Sequence, residues 1–285
     1  MAREVDPSLN RRRLRIELRR AREATGMTQL EAAQALEWSL SKIIRIEAGT
    51  VSVSVTDLRA LLQQYDVVDE VLIADLEEAA RGSKGQSWWA EYRDMISSQF
   101  AQYLGYESSA ITIQAFNPVV FPALLQNEDY AEALLKGRTG EAQARRAVEL
   151  RTARQERVFD DEEGPRAHFV VDESVFRRHV GGPSVMRRQL EHVKTLAQHP
   201  RVNLQLLPFT AGSFFGSTAP FVLLTFKDDD DLLYIEGSTG SVTSRDDIEL
   251  IARYQESFAE ISGAAYEGDQ VIELIDEIST GMRSS

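Results

Sequence analysis

A chain of 285 residues, 43% apolar and 27% charged, is long enough for one or two domains and too apolar for disorder along its whole length. Its 32 Lys and Arg against 45 Asp and Glu leave a net charge of −13, which, averaged over the chain, counts against a nucleic-acid partner. The absence of cysteine excludes disulfides, thiolate metal sites and a cysteine nucleophile. No apolar run is long enough to span a membrane, and the first residues lack the apolar core of a secretion signal, so a cytoplasmic protein is expected.

The average hides an asymmetry. Residues 1–66 carry a net charge of +2, and residues 67–285 carry −15. Residues 11–25 alone hold seven Arg against two Glu. Opposite charge in two parts of one chain points to two modules with different partners.

In chain order, residues 12–25 read as a helix with Leu14, Leu18 and Ala21 on one stripe and Arg12, Arg15 and Arg19 away from it. Gly26 ends this helix. Thr28 caps a second helix running to about Leu36, with Glu31 at capping-box spacing. Ser39 caps a third, from Leu40 to Ala48, which Gly49 ends. Thr56 caps a fourth over 56–65, with Leu58, Leu61 and Leu62 inward, and 68–82 reads as a further helix. Beyond it, helices are predicted at 88–104, 127–136, 141–160, 183–198, 245–262 and 269–280. Strands are predicted at 110–116, 167–171, 202–208, 221–226 and 232–236, with Asp228–Asp231 as a hairpin turn.

The expected fold is an all-α helix-turn-helix N-terminal domain plus an α+β C-terminal domain with a mixed or antiparallel sheet of about five strands. The expected division is 1–66 for the helical domain, 67–85 for a linker helix and 86–285 for the α+β effector, partner-binding and dimerisation domain.

The informative segment is 27–49. Two short helices meet at a tight turn, Ala32, Ala33 and Ala35 permit close approach, and Ile43 and Ile46 face inward. Ser39, Ser41, Lys42 and Arg45 fall on the outer face, an arrangement suited to a major groove about 12 Å wide. A plain helical protein-binding module is the bland alternative.

These residues resemble the helix-turn-helix of the phage Cro and repressor family and the xenobiotic-response-element regulators. The matching positions are Arg22, Gly26, Thr28 and Gln29, the small Ala33, and the closing Ile43, Arg45, Ile46, Glu47, Ala48 and Gly49. The resemblance implies that Gln29 contacts a phosphate and braces the recognition helix. It also implies that Ser39, Leu40, Ser41 and Arg45 face the bases. Lys42 suits a phosphate, and Arg45 suits bidentate contact with guanine. Leu40 replaces the family's usual polar residue and could meet a thymine methyl or a protein interface. The resemblance implies a partly buried ion pair between Arg22 and Glu47; contact with DNA is the other reading of Arg22. Arg13 and Arg19, with Arg11, Arg12, Arg15 and Arg20, would make a phosphate-facing or solvated surface, with Arg11–Arg13 as a possible arm.

The second module is similar to the C-terminal domain of actinomycete-type regulators that are sometimes labelled antitoxin-like. The residues carrying this are Trp88–Tyr92, Tyr103–Glu107, Pro122–Gln126, Val180–Pro183 and Leu206–Phe209. Together the resemblances imply a bacterial transcription regulator on double-stranded operator DNA, with a small-molecule effector or small partner protein; since one such module reads only a few base pairs, a homodimer on a roughly palindromic operator is the geometric expectation. The alternative is an antitoxin-like protein that mainly sequesters such a partner and binds DNA for autoregulation.

No catalytic residue, cofactor or metal site is expected. The four His lack metal-ligand spacing, Gly212–Gly216 lacks the lysine of a phosphate loop, and the Asp run reads as a solvated turn. Two aromatic groups, Trp88, Trp89 and Tyr92, and Phe214 and Phe215, read either as core or as a ligand or partner site.

Overall fold

The computed structural model describes residues 6–48, 51–136, 140–160, 162, 164–227, 230–237, 240–245 and 247–282. Gly49, expected to end the third helix, and most of the hairpin turn at Asp228–Asp231 lie outside or at the edge of these residues.

The chain forms two compact units, one holding the residues up to Glu91 with Leu104–Ser109, the other Tyr92–Tyr103 with the chain from Ala110 onward. The first unit is helical. It contains α1 (Pro7–Ala24), α2 (Gln29–Ala35), α3 (Leu40–Glu47), α4 (Val55–Gln64) and α5 (Glu70–Gly82). Leu14 and Leu18 of α1, Ala32 and Ala33 of α2, Ile43 and Ile46 of α3, and Leu58, Leu61 and Leu62 of α4 share one core. Leu76, Ala79 and Ala80 of α5 belong to the same core, so the segment read as a linker helix also packs within the helical unit.

Two local details differ from expectation. Helix α1 begins at Pro7, where a missing N–H costs nothing, so Arg11–Arg13 are helical and form no arm. The cap of α4 is Ser54, whose hydroxyl accepts from the Asp57 N–H at 3.0 Å; Thr56 sits inside the helix.

The second unit is α+β. Its remaining helices are α6 (Ser98–Ser109, which ends in the first unit), α7 (Glu128–Leu135), α8 (Glu141–Gln155), α9 (Glu173–Arg177), α10 (Pro183–Ala197), α11 (Ile248–Gly263) and α12 (Asp269–Gly281). Its strands are β1 (Thr112–Asn117), β2 (Arg166–Asp172), β3 (Val202–Leu207), β4 (Phe221–Thr225), β5 (Leu232–Gly237), β6 (Gly240–Ser244) and β7 (Tyr266–Glu267). They make one mixed sheet in the order β6-β5-β4-β1-β2-β3-β7. The β1–β2 and β2–β3 pairs are parallel and the others antiparallel.

The mixed sheet agrees with expectation, with seven strands in place of about five. The two additions are an edge strand rich in Ser and Thr and a two-residue strand, neither carrying an apolar alternation to read. The helix expected over 88–104 is a 3-10 turn at Trp88–Tyr92 followed by α6. The break comes from Ser97, whose hydroxyl caps α6 by accepting from the Phe100 N–H at 3.1 Å. The helix expected over 141–160 changes to a π turn at Glu156–Asp160.

One sheet face meets α11. Phe116, Val170, Phe221, Leu223 and Leu233 pack there against Ile251, Phe258 and Ile261. The pleat sends the alternate residues to the opposite face. There, register places Phe169, Ala115, Val222 and Tyr234 in one row across β2, β1, β4 and β5.

Candidate nucleic-acid interface

Local chemistry fixes α2 and α3 before any packing does. Gly26 adopts φ +74°, ending α1 in the left-handed conformation that glycine accepts without strain. The Thr28 hydroxyl accepts from the Glu31 N–H at 3.2 Å, and the Glu31 carboxylate accepts from the Thr28 N–H at 2.8 Å. The Thr28 N–H, and after it the Thr28 hydroxyl at 2.8 Å, hold the Glu31 carboxyl below its ordinary pKa. The connecting turn passes through Glu37 at φ 57°, an uncommon conformation for a residue with a Cβ. It is closed by the Trp38 N–H, which donates to the Ala33 carbonyl at 2.8 Å. Ser39 then caps α3, accepting from the Lys42 N–H at 3.3 Å.

The far end of α3 is tied down by charge. Arg22 Nε donates to Glu47 Oε1 at 2.8 Å and Nη2 to Oε2 at 3.0 Å, while Nη1 reaches the Met27 carbonyl at 2.7 Å. Both side chains are buried. The Gln29 amide Nε2 donates to Glu47 Oε2 at 2.9 Å, adding α2 to the cluster. The paired carboxylate raises the Arg22 pKa through its hydrogen bond. Tyr65, buried beside the pair, is pushed up to about 12, first by burial and then by the charge of Glu47.

The outer face of α3 is the part left to solvent. Ser39, Leu40, Ser41 and Arg45 are all exposed. Lys42 differs from its neighbours. Its ammonium donates to Asp57 at 2.7 Å and lies 3.5 Å from the centre of the Trp38 ring, so it ties α3 to α4, and a phosphate would have to compete for it. Ile44, absent from the sequence-based candidates, is 44% exposed and stands one turn from Leu40 on the same face. The signal was present: Ile43 and Ile46 already supply the inward stripe, leaving Ile44 no place in it.

The arginines of α1 divide among several roles. Arg13 meets Asp75 at 3.4 Å and Arg19 meets Glu23 at 2.8 Å, both on the surface. Arg11 donates to the Ser83 and Gly85 carbonyls at 2.7 and 3.2 Å. The Arg12 guanidinium lies 5.2 Å from the Tyr106 ring centre.

The aromatic candidates fall in different settings. Trp88 donates its indole N–H to Ser108 at 2.8 Å, and Trp89 and Tyr92 are buried. Phe214 packs on the core beside α11. Phe215 is 38% exposed and carries the Arg253 guanidinium 3.7 Å from its ring centre. Among the described residues, no group of three or more His, Asp and Glu could hold a metal ion, and no helix is long and apolar enough to cross a membrane.

Two different family models match the two parts of the chain. A helix-turn-helix domain model matches residues 13–76. No curated protein matches the chain. A second family model, described as a domain of unknown function (DUF5753), matches residues 100–277. This match spans well over half of the sequence, so the protein belongs to the family defined by that domain, here joined to an N-terminal helix-turn-helix.

Proposed function

We propose that the protein is a sequence-specific DNA-binding transcriptional regulator of the Cro and repressor type, working in the cytoplasm as a homodimer on a roughly palindromic operator. The observation that carries this reading is the contrast between the two sides of α3. Its inner side and its end are locked by Ile43, Ile46 and the Arg22–Glu47–Gln29 cluster, while Ser39, Ser41 and Arg45 are presented outward. A major groove admits such a helix, and two half-sites would lie about 10 bp apart or a multiple of that.

In this reading Arg45 contacts guanine, Ser39 and Ser41 contact base edges, and Leu40 packs on a thymine methyl. Arg13, Arg19 and Gln29 lie against phosphates, and Lys42 joins them only by leaving Asp57. Residues 1–66 read DNA, and residues 86–285 hold the dimer and receive a signal across 67–85. The net +2 of residues 1–66 and their phosphate contacts should make binding moderate and steeply salt-dependent, and the excess acid elsewhere disfavours nonspecific wrapping.

The test is operator selection from random duplexes with the full chain, followed by Arg45→Ala. A selected site bound roughly 10- to 100-fold less tightly by Arg45→Ala, with discrimination lost at one base pair, is expected. An unchanged footprint would remove Arg45 from readout, and failure to select any sequence would remove the function.

A further inference from the structure

The second unit contains a cavity of about 880 Å³ on the sheet face opposite α11. Its floor is the row Phe169, Ala115, Val222 and Tyr234, one residue from each of four neighbouring strands. Its walls come from the first half of α6, the end of α7, α8 and the 3-10 turn at Ala123–Leu125. The volume lies within the range of pockets that enclose a drug-sized molecule.

A bound molecule can touch only side chains that keep accessible surface, and the cavity has apolar ones on its floor and walls. Val222 sits in β4 with β1 on one side and β5 on the other, yet it stays partly exposed. Its chain neighbours Phe221 and Leu223 point toward α11 and are buried. The two faces of one central strand are therefore covered unequally. Phe100 of α6, Leu134 and Leu135 of α7, and Ala147 of α8 also line the cavity and are partly exposed. Apolar surface gains by leaving water, and a concave wall lets one guest cover several such side chains at once.

The polar lining is engaged by the protein itself. Among the described lining residues, Arg151, Arg154 and Glu236 carry charge. The Arg154 guanidinium lies 5.4 and 5.8 Å from the ring centres of Phe100 and Tyr103. Arg151 donates to the Ala131 carbonyl at 3.4 Å, and both arginines have further partners. Glu236 is exposed. Asn117 Oδ1 accepts from the N–H groups of Val119 and Val120 at 3.0 and 3.1 Å. An ion entering the cavity would give up its hydration beside arginines that are already partnered, which is costly. A neutral apolar guest gives up little.

We infer that this cavity binds one uncharged, mainly apolar small molecule, its body lying on Val222 and against Phe100, Leu134 and Leu135. The inference names the kind of signal the second module would receive, and it rests on the regulator reading only for what that molecule controls. Binding itself needs no DNA, so the two can fail separately.

The probe is N-phenyl-1-naphthylamine, an uncharged dye, titrated into the full chain and followed by its emission. Its sulfonate counterpart, 1-anilinonaphthalene-8-sulfonate, is the comparison. Salt at about 0.5 M screens the net charge of −13, so that the two dyes differ mainly in what they meet inside the cavity. Saturable binding of one neutral dye per chain is expected, with the anionic dye roughly tenfold or more weaker. Val222→Trp, which fills the floor, and Leu134→Glu, which charges the wall, should each weaken the neutral dye by roughly tenfold or more. Val68→Ser, at an apolar side chain 86% exposed in the helical unit, should leave it unchanged. If one cavity variant lacks a cooperative melt, the other decides. The inference is overturned by unsaturable binding of the neutral dye, by an anionic dye that binds as tightly, or by neutral-dye affinity that a folded cavity variant does not lower.

Discussion

Both units bury an arginine, one on the helical core and one against aromatic rings. In the helical unit Arg22 meets a carboxylate with two hydrogen bonds and a carbonyl with a third, and a neighbouring glutamine amide completes the cluster. In the sheet unit Arg154 lies over the rings of Phe100 and Tyr103, 5.4 and 5.8 Å from their centres. A satisfied charge cluster fixes the angle between helices. The same residue type thus packs against a carboxylate and an amide in one unit and against ring faces in the other.

The sharpest way to break the first half of that comparison is to remove one partner of the closed pair. Arg22→Ala should lower the stability of the helical unit by about 3–5 kcal/mol, because Glu47 is left buried without its counter-ion. Urea unfolding followed by circular dichroism measures this, and a loss under about 1 kcal/mol would make the pair a surface-like contact.

Alkali gives the next largest effect and touches both units. Tyr65 in the helical unit and Tyr130 in the sheet unit are each pushed up to about 12 by burial. The folded state favours their protonated forms, so their stabilisation is complete below pH about 10 and is lost as pH rises toward 12. Tyr65→Phe should flatten that loss for the helical unit alone, as read by melting temperature between pH 9 and 11.5.

Asp57→Asn sharpens the role of Lys42. The pair is about one-third exposed on each side, so its loss should cost about 1 kcal/mol or less. If the freed ammonium turns to a phosphate, operator affinity should rise and its salt slope should steepen by about one counter-ion. Unaltered affinity would leave Lys42 purely as a tie between helices. The smallest effect is expected from Glu37→Gly, which relieves a left-handed backbone at φ 57° and should raise stability by at most about 1 kcal/mol in thermal melts.

Much of the helical unit was legible because its signals are local. Thr28 with Glu31, Ser39 and Gly26 mark helix ends within a few residues of themselves, and Ile43 and Ile46 mark an inward face. Where the first unit departs from its sequence signals, the cause is again local: Ser54 and Thr56 both offer a capping hydroxyl and Ser54 makes the bond, and Pro7 starts α1 five residues before its apolar stripe is evident. In the sheet unit the long apolar strands were readable, while β6 and β7 were not, since Gly240–Ser244 and Tyr266–Glu267 have no alternation and exist only by pairing with β5 and β3. The cavity of about 880 Å³ in the sheet unit, lined in part by Tyr103, Ala115, Gln126 and Arg154, was beyond reach for a different reason. Ala115, Tyr103, Gln126 and Arg154 become neighbours only through strand register and helix packing, and none carries a mark of that role in its own segment. The paired aromatics Phe214 and Phe215 drew attention by composition, yet neither is among the residues lining it.

Helix α1 joins two ends of the helical unit. Arg22, near its C-terminus, grips the last residue of α3, and Arg11, about three turns earlier, grips the carbonyls of Ser83 and Gly85 just after α5. At the helical rise these grips stand roughly 16 Å apart on one stiff rod. A pull on the backbone at 83–85 therefore has a mechanical arm leading to the base of α3, with charge-assisted hydrogen bonds as its joints at both ends.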